Sequence, residues 1–188
     1  MILDVWPVPG AAPHRGEARW GNRRFPCALG KSGVRADKRE GDHATPLGLF
    51  PFRQVLYRPD REAMPRTALP TRAIAATDGW CDDVGDSAYN RPVTLPYAAR
   101  HEVLWRADGL YDLVLTIGHN DDPVVKGAGS AVFVHVARPD GGGTEGCVAF
   151  RVEDLRWILA QADATSVIRI LPAPVGPAPA GPVTPAQG

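Results

Sequence analysis

The sequence predicts a mostly β domain with one or two helices. Short apolar stretches bounded by Gly and Pro recur along the chain, whereas clear helical spacing of apolar residues occurs in one stretch. The chain has 188 residues, 44% hydrophobic and 22% charged, which suits one domain with a packed core. We therefore expect residues 1–172 to form one domain and the Pro- and Ala-rich residues 173–188 to form a flexible tail.

Composition argues against several classes of function. The formal net charge is zero, so no basic surface indicates a nucleic-acid partner. The apolar runs are too short to cross a bilayer, and no secretory signal is visible at the N-terminus. The three cysteines, Cys27, Cys81 and Cys147, form no Cys-x-x-Cys pair, which argues against a disulfide framework or structural zinc site. An enzyme and a binding module are the classes left to weigh.

The first third of the chain carries the signals of four strands. Residues 2–8 form a short apolar stretch, and residues 17–20 and 23–27 flank the Gly21-Asn22 turn of a hairpin. Residues 49–55 form the fourth apolar stretch. We expect each of these segments to form a strand.

Two irregular segments, 57–72 and 80–92, are candidates for a loop that covers a cleft. The second contains Trp80 and Tyr89. Half-buried packing is the favoured role of these two aromatic residues, and the wall of a substrate cleft is the alternative.

The second half of the chain predicts a hairpin, a helix and a closing strand. Residues 101–106 and 111–117 flank Asp108-Gly109, a dipeptide that favours a type I′ turn. Apolar residues between positions 152 and 162 recur at helical spacing. Residues 166–171 are typical of a final strand.

The stretch 131–150 carries the strongest functional signal. Strand alternation predicts that Val134 points to one face while Phe133 and His135 point to the other. A loop with three consecutive glycines follows, and then Thr144-Glu-Gly-Cys147. This order can bring a histidine on a rigid strand next to a cysteine.

A cysteine beside a histidine suits nucleophilic catalysis. The thiolate is the reactive form, and a neighbouring imidazole can take the thiol proton. We expect the helix that follows Cys147 to favour the thiolate as well, and the backbone N–H groups around Gly146 and Cys147 to form an oxyanion hole. A small buried residue is the alternative role for Cys147 and the favoured one for Cys27 and Cys81. His135 and His119 both remain candidates for the base.

A metal site is the competing interpretation of the polar residues in this region. Candidate ligands are His119, Asp121, Asp122, His135 and Asp140. The chain has no His-Glu-x-x-His helix, and adjacent aspartates beside a histidine are more typical of a solvated turn. We therefore predict neither a metal nor a cofactor.

The order of His135, a loop, and Thr144-x-Gly146-Cys147 resembles the signature of the YkuD-type L,D-transpeptidases. Residues 45–50, Thr-Pro-Leu-Gly-Leu-Phe, are similar to a second segment of that family, and residues 118–123 resemble its compact proteobacterial branch. The similarity covers roughly residues 15–172.

The resemblance implies a β-sandwich-like catalytic domain that acts on peptidoglycan stem peptides. Cys147 would attack a stem-peptide carbonyl, His135 would be the base, oriented by a backbone carbonyl, and an amine of a second stem would accept the acyl group. Water as acceptor would give carboxypeptidase activity, and carbapenem β-lactams would acylate Cys147. The substrate implies a periplasmic location, although no signal peptide is visible in this chain.

Two positions depart from the family pattern, because Val136 and Ala149 replace the usual Gly and Arg. Arg138 or Arg151 could supply the missing cation. These departures, together with residues 118–123, resemble the branch whose enzymes join L-Ala at stem position 1 to diaminopimelate at position 3, and this resemblance implies a 1-3 crosslink over the 3-3 type. The expected substrate-binding residues are His119, Asn120, Arg138, Thr144, Tyr89 and Arg151.

Three other functions compete with this one. Papain-like and NlpC-type peptidases have their Cys before their His, opposite to the order of His135 and Cys147. A peptidoglycan carboxypeptidase or endopeptidase and a non-catalytic wall-binding domain stay open. The sequence leaves the oligomeric state open as well.

Overall fold

The computed structural model describes residues 1–174. All but the first two residues of the predicted tail 173–188 lie outside the described part. Residues 1–174 form fourteen strands and one α-helix, which confirms the prediction of a mostly β domain. The elements are β1 (Ile2–Pro7), β2 (Arg15–Trp20), β3 (Arg23–Ala28), β4 (Val34–Arg35), β5 (Thr45–Pro46), β6 (Gly48–Tyr57), β7 (Thr71–Ala73), β8 (Asp78–Cys81), β9 (Pro92–Thr94), β10 (His101–Val103), β11 (Leu113–Ile117), β12 (Phe133–Val136), β13 (Val148–Phe150), α1 (Val152–Gln161) and β14 (Val167–Ile170).

The main sheet has nine strands and closes on itself. Its order is β11-β12-β13-β3-β2-β1-β14-β6-β7, and β11 also pairs with β6. Strand β6 makes both contacts because it is long: residues 48–51 pair with β14, and residues 52–57 pair with β11. The sheet therefore curls around a core in the manner of a β-sandwich.

The core fills the inside of this closed sheet. Alternate residues of each strand point inward, as strand geometry requires, and helix α1 adds Leu155, Ile158 and Leu159. Phe25 is 1% exposed, and its ring contacts those of Phe150 and Trp157. The inward set includes Leu3, Val5, Ala18, Trp20, Phe25, Phe52, Val55, Leu113, Leu115, Val134, Val148, Phe150, Ile168 and Ile170.

A second, smaller layer covers part of the outer face. Strands β8, β9 and β10 form a three-stranded sheet, which we call the cap sheet. A second apolar cluster includes Leu104, Tyr111, Phe133 and Cys147, with Trp80 packed against it. Residues Phe133 and Val134 thus face opposite sides, as the alternation predicted.

The predicted hairpin of residues 101–117 is wrong. Strand β10 pairs with β8 in the cap sheet, whereas β11 pairs with β6 and β12 in the main sheet. The turn at Asp108-Gly109 is present, with Gly109 at a φ of +81°. Leu104 and Tyr111, on either side of that turn, are both buried in the second cluster. Their burial favours a crossing between sheets over local strand pairing.

The other main elements agree with the sequence. The hairpin of β2 and β3, the helix α1 and the closing strand β14 are all present. In the described residues, no helix is long and apolar enough to cross a membrane.

Removing the Phe25 ring should test the core. We expect Phe25→Ala to lower the free energy of unfolding by about 3–5 kcal/mol, because it leaves a cavity beside two other aromatic rings. Urea unfolding measures this change. The control is Leu49→Ala, which is 59% exposed and should cost under about 0.5 kcal/mol. Equal losses for the two variants would contradict this account of the core.

Candidate active site

Strand pairing brings His135 and Cys147 to one face of the sheet. Strands β12 and β13 are parallel neighbours, with His135 opposite Ala149 and Val134 opposite Val148. Cys147 lies two residues before Ala149 and therefore points to the same side as His135. Both residues line one cleft of about 340 Å³. The two residues that the sequence singled out thus share a site.

The thiol of Cys147 is buried and hydrogen-bonded to the strand beside it. Its Sγ accepts from the Phe133 N–H at 3.3 Å and donates to the carbonyl oxygen of Ala131 at 3.2 Å. Cys147 is 7% exposed, and burial raises the pKa of its thiol to about 12. At neutral pH Cys147 is therefore a protonated thiol.

Ala131, whose carbonyl accepts the hydrogen bond from the Cys147 thiol, has a strained backbone conformation. Ala131 has a φ of +50°, a left-handed conformation that is costly for a residue with a Cβ. Its N–H donates to Asn90 Oδ1 at 3.1 Å, and that oxygen also accepts from Trp80 Nε1 at 2.9 Å. Asn90 is a positioning residue that sequence reasoning missed, because an asparagine in a polar loop carries no pattern.

The imidazole of His135 is oriented for accepting a proton. Its Nδ1 lies 2.8 Å from the carbonyl oxygen of Val136. A carbonyl can only accept, so Nδ1 carries the hydrogen and Nε2 is left as the basic nitrogen. Burial lowers the pKa of His135 to about 4, and the Tyr111 ring packs edge-on against it at 5.4 Å. At neutral pH the site therefore holds a neutral imidazole.

Two threonine hydroxyls hold the backbone at the nucleophile. Thr144 Oγ1 donates to the carbonyl oxygen of Cys147 at 2.7 Å, and Thr45 Oγ1 donates to the same oxygen at 3.2 Å. Both side chains are buried. Thr144 was predicted to bind substrate; it lines the cleft, and its hydroxyl also fixes the loop that carries Cys147. Thr45, from the Thr-Pro-Leu-Gly segment, does the same from another part of the chain.

The backbone conformation and close packing at position 146 require a glycine. Its φ is +136°, and a Cβ there would lie 2.9 Å from the carbonyl oxygen of Ala44. Its N–H donates to Thr144 Oγ1 at 3.1 Å, so that group is already engaged and does not face a substrate. The N–H of Cys147, in contrast, has no acceptor among the described residues. Of the two N–H groups predicted for the oxyanion hole, that of Cys147 is therefore the free donor and that of Gly146 is engaged.

Helix α1 does not adjoin the thiol. Strand β13 intervenes, and the helix begins at Val152. Three strand residues span about 10 Å, beyond the first helical turn where the dipole acts. The expected contribution of the helix to thiolate formation is wrong, because Val148–Phe150 pairs as a strand before the helix starts.

The walls of the cleft come mostly from loops. Residues 38–43 form one wall, and Lys38 within it is 8% exposed and paired with Asp42 at 2.5 Å. The cap sheet adds Glu102, and the loops beside it add Asp82 and Arg106. The segment 57–72, predicted as one candidate covering loop, does not line the cleft, and the segment 80–92 contributes Asp82.

Two of the predicted substrate-binding residues line the cleft and four do not. Arg138 and Thr144 are cleft residues. Asn120 and Tyr89 instead hold the loop at Gly129: the Asn120 Nδ2 donates to the Gly129 carbonyl, and the Tyr89 hydroxyl accepts from the Gly129 N–H.

The remaining two residues lie at other surfaces. His119 packs edge-on against Phe50, and its Nε2 lies 3.1 Å from the carbonyl oxygen of Ala128. Arg151 is exposed and paired with Glu153 at 2.6 Å. Of the two candidate bases, His135 is therefore the one that shares the cleft with Cys147.

The other two cysteines and the proposed metal ligands form no second site. Cys27 and Cys81 are buried free thiols, and burial raises the pKa of both. Among residues 1–174, no group of three or more His, Cys, Asp or Glu side chains could hold a metal ion.

Comparison with known proteins identifies the domain. The family model for YkuD, the L,D-transpeptidase catalytic domain, matches residues 16–173. Neither a curated protein nor a solved structure matched the chain. The matched region covers most of the chain and contains His135, Thr144, Gly146 and Cys147. The chain therefore belongs to the YkuD family of L,D-transpeptidase catalytic domains.

Proposed function

We propose that this protein is a peptidoglycan L,D-transpeptidase in which Cys147 forms a thioester with a stem peptide. The observation that carries the proposal is the placement of Cys147 and His135 on one face of paired strands, in one cleft. The family supports the reaction class, and peptidoglycan as substrate supports a periplasmic location.

The first step forms the acyl-enzyme. Cys147 Sγ attacks the carbonyl carbon of the scissile amide while its proton passes to His135 Nε2. The C–N bond then breaks, and the imidazolium gives its proton to the leaving amine. Because both groups are neutral at rest, charge forms only as the thiol attacks.

The negative charge of the tetrahedral intermediate needs a donor. The free N–H of Cys147 supports its assignment to that oxyanion, in place of the engaged N–H of Gly146. Thr45 and Thr144 hold the Cys147 carbonyl, which fixes the peptide group that joins Cys147 to Val148. The oxyanion hole is therefore built on a preorganised turn.

The acceptor is proposed to be an amino group of a second stem peptide, and the favoured product is a 1-3 crosslink between L-Ala and diaminopimelate. Ala149 supports this choice because it lines the cleft where the family usually carries an arginine. Arg138 also lines the cleft and is the residue proposed to bind a substrate carboxylate. Arg151, which pairs with Glu153 outside the cleft, is not.

Replacing the nucleophile should abolish the reaction. We expect Cys147→Ala to give neither crosslinked muropeptides nor a mass adduct with a carbapenem, because no other thiol lines the cleft within the described residues. Mass spectrometry of muropeptides after incubation separates 1-3, 3-3 and hydrolytic products. Cys27→Ala is the control and should keep the activity. Crosslinking by Cys147→Ala would end the nucleophile assignment, and unmodified muropeptides with the unaltered chain would favour a wall-binding domain.

Loss of the base should slow acylation without preventing binding. We expect His135→Ala to reduce the rate of carbapenem adduct formation by about 10²- to 10⁴-fold, as for removal of a general base. The unaltered protein should keep its rate as the pH falls through 6.5 and lose it near pH 4, because burial keeps the imidazole neutral down to a pKa of about 4. A large loss in His119→Ala with none in His135→Ala would reverse the choice of base.

Thr144 can be tested with a matched pair of variants. Thr144→Val keeps the shape but removes the hydroxyl that bonds both Gly146 and Cys147. We expect acylation to slow by roughly 10-fold or more, since a lost buried hydrogen bond costs about 1–3 kcal/mol. Thr144→Ser keeps the hydroxyl and should react within about threefold of the unaltered rate. Equal rates for the two variants would contradict a role specific to the hydroxyl.

A further inference from the structure

Glu102 is a cleft residue to which the acylation step gives no role. It lies in β10 and lines the cleft with His135 and Cys147. We propose that Glu102 binds the protonated amino group of the acceptor and takes a proton from it before the amine attacks the thioester. The inference rests on the proposed function, and it specifies how the same site recognises its second substrate.

One carboxylate oxygen of Glu102 is fixed and the other is free. Its Oε2 accepts from the Tyr111 hydroxyl at 2.5 Å. Its Oε1 has no hydrogen-bond partner among residues 1–174 and is not among their fully buried unpaired atoms, so it is accessible on a side chain that lines the cleft. The Tyr111 ring contacts His135 edge-on at 5.4 Å. The carboxylate is thus held by a residue that also packs against the base.

The nearby cations bond other carboxylates, although the charge of Arg106 partly offsets the rise in the pKa of Glu102 that burial causes. Arg106 lies over the Tyr111 ring at 5.0 Å, but its guanidinium bonds Asp108. Arg100 bonds Asp82 at 3.1 Å. Glu102 forms no ion pair with any residue that the structure describes. Its free oxygen is therefore available to a cation from a substrate.

The charge of Glu102 suits the second step and not the first. Burial raises the pKa of Glu102, and its charge in turn raises the pKa of the Cys147 thiol, which opposes thiolate formation. An aliphatic side-chain amine of a stem peptide has a pKa near 10, so it reaches the site as a cation that cannot attack. A partly desolvated carboxylate attracts that cation and is a stronger base than one in water.

The proton balance closes over one turnover. The acceptor R–NH₃⁺ gives one proton to Glu102 and becomes R–NH₂. Its lone pair forms the new C–N bond at the thioester carbonyl while His135 takes the second proton. The C–S bond breaks, and the imidazolium returns that proton to the Cys147 sulfur. The products are the amide, the free thiol and a protonated Glu102, which releases its proton to water.

The test separates acyl transfer from acylation. The acyl-enzyme is formed with a donor stem peptide in the unaltered protein, in Glu102→Gln and in the control Glu17→Gln, whose carboxylate pairs with Arg24 on the surface. Each acyl-enzyme is then mixed with either an aliphatic amine acceptor or hydroxylamine, which is already neutral at pH 7. Mass spectrometry follows the transfer products and the hydrolysed donor.

We expect Glu102→Gln to slow transfer to the aliphatic amine by roughly 10- to 100-fold, the range for a charge-assisted hydrogen bond. Transfer to hydroxylamine should change by less than about threefold, and Glu102→Asp should recover part of the amine reaction. Equal loss with both acceptors, or no loss with either, would overturn the inference. Because transfer starts from a formed acyl-enzyme, that outcome leaves the proposed function standing, whereas failure of the unaltered protein to form the acyl-enzyme refutes both.

Discussion

The parallel pairing of β12 with β13 is the constraint on which the site depends. It places His135 and Cys147 on one face at fixed spacing. Parallel neighbours need a crossover, which is usually a helix of a dozen or more residues. Here the chain returns through a short glycine-rich loop, and that loop is fastened to the sheet, since Thr144 N–H donates to Leu29 and its carbonyl accepts from Lys31. Cys147 is therefore positioned by sheet geometry on one side and by backbone hydrogen bonds on the other.

The side-chain amide of Asn90 links Cys147 to the cap sheet, through Ala131 on one side and Trp80 on the other. The amide of Asn90 is fully used: Oδ1 accepts from Trp80 and Ala131, and Nδ2 donates to the His119 and Asn120 carbonyls. Such a satisfied buried network is rigid, and losing one partner leaves several groups unpaired. The network holds Ala131 in its strained conformation, and the Ala131 carbonyl receives the thiol hydrogen. A change in the cap sheet would thus alter the environment of the sulfur.

The sequence predicted what short-range patterns determine. The alternation at Phe133 and Val134, the β2–β3 hairpin and the spacing of α1 each follow from a local period. The pairing of residues 101–117 does not follow from a local period. The same Asp-Gly turn can join the strands of a hairpin or a crossing between two sheets, and the burial of Tyr111 decides between them. Residues 38–43 were missed as a cleft wall, since a polar loop has no period and its place depends on distant contacts.

The positively charged side chains of the cleft lie on its loops, whereas its sheet surface is apolar beside His135. Ala149 stands directly opposite His135, so the sheet floor of the cleft is apolar at that position. The cations that line the cleft, Lys31, Lys38, Arg100, Arg106 and Arg138, all lie outside the strands. A cation on the floor beside His135 would disfavour the imidazolium that forms during attack. Burial keeps the thiol and the imidazole neutral at rest, and the positive charge of the cleft lies on its loops, from which Arg106 adds to the effect of burial by lowering the pKa of His135.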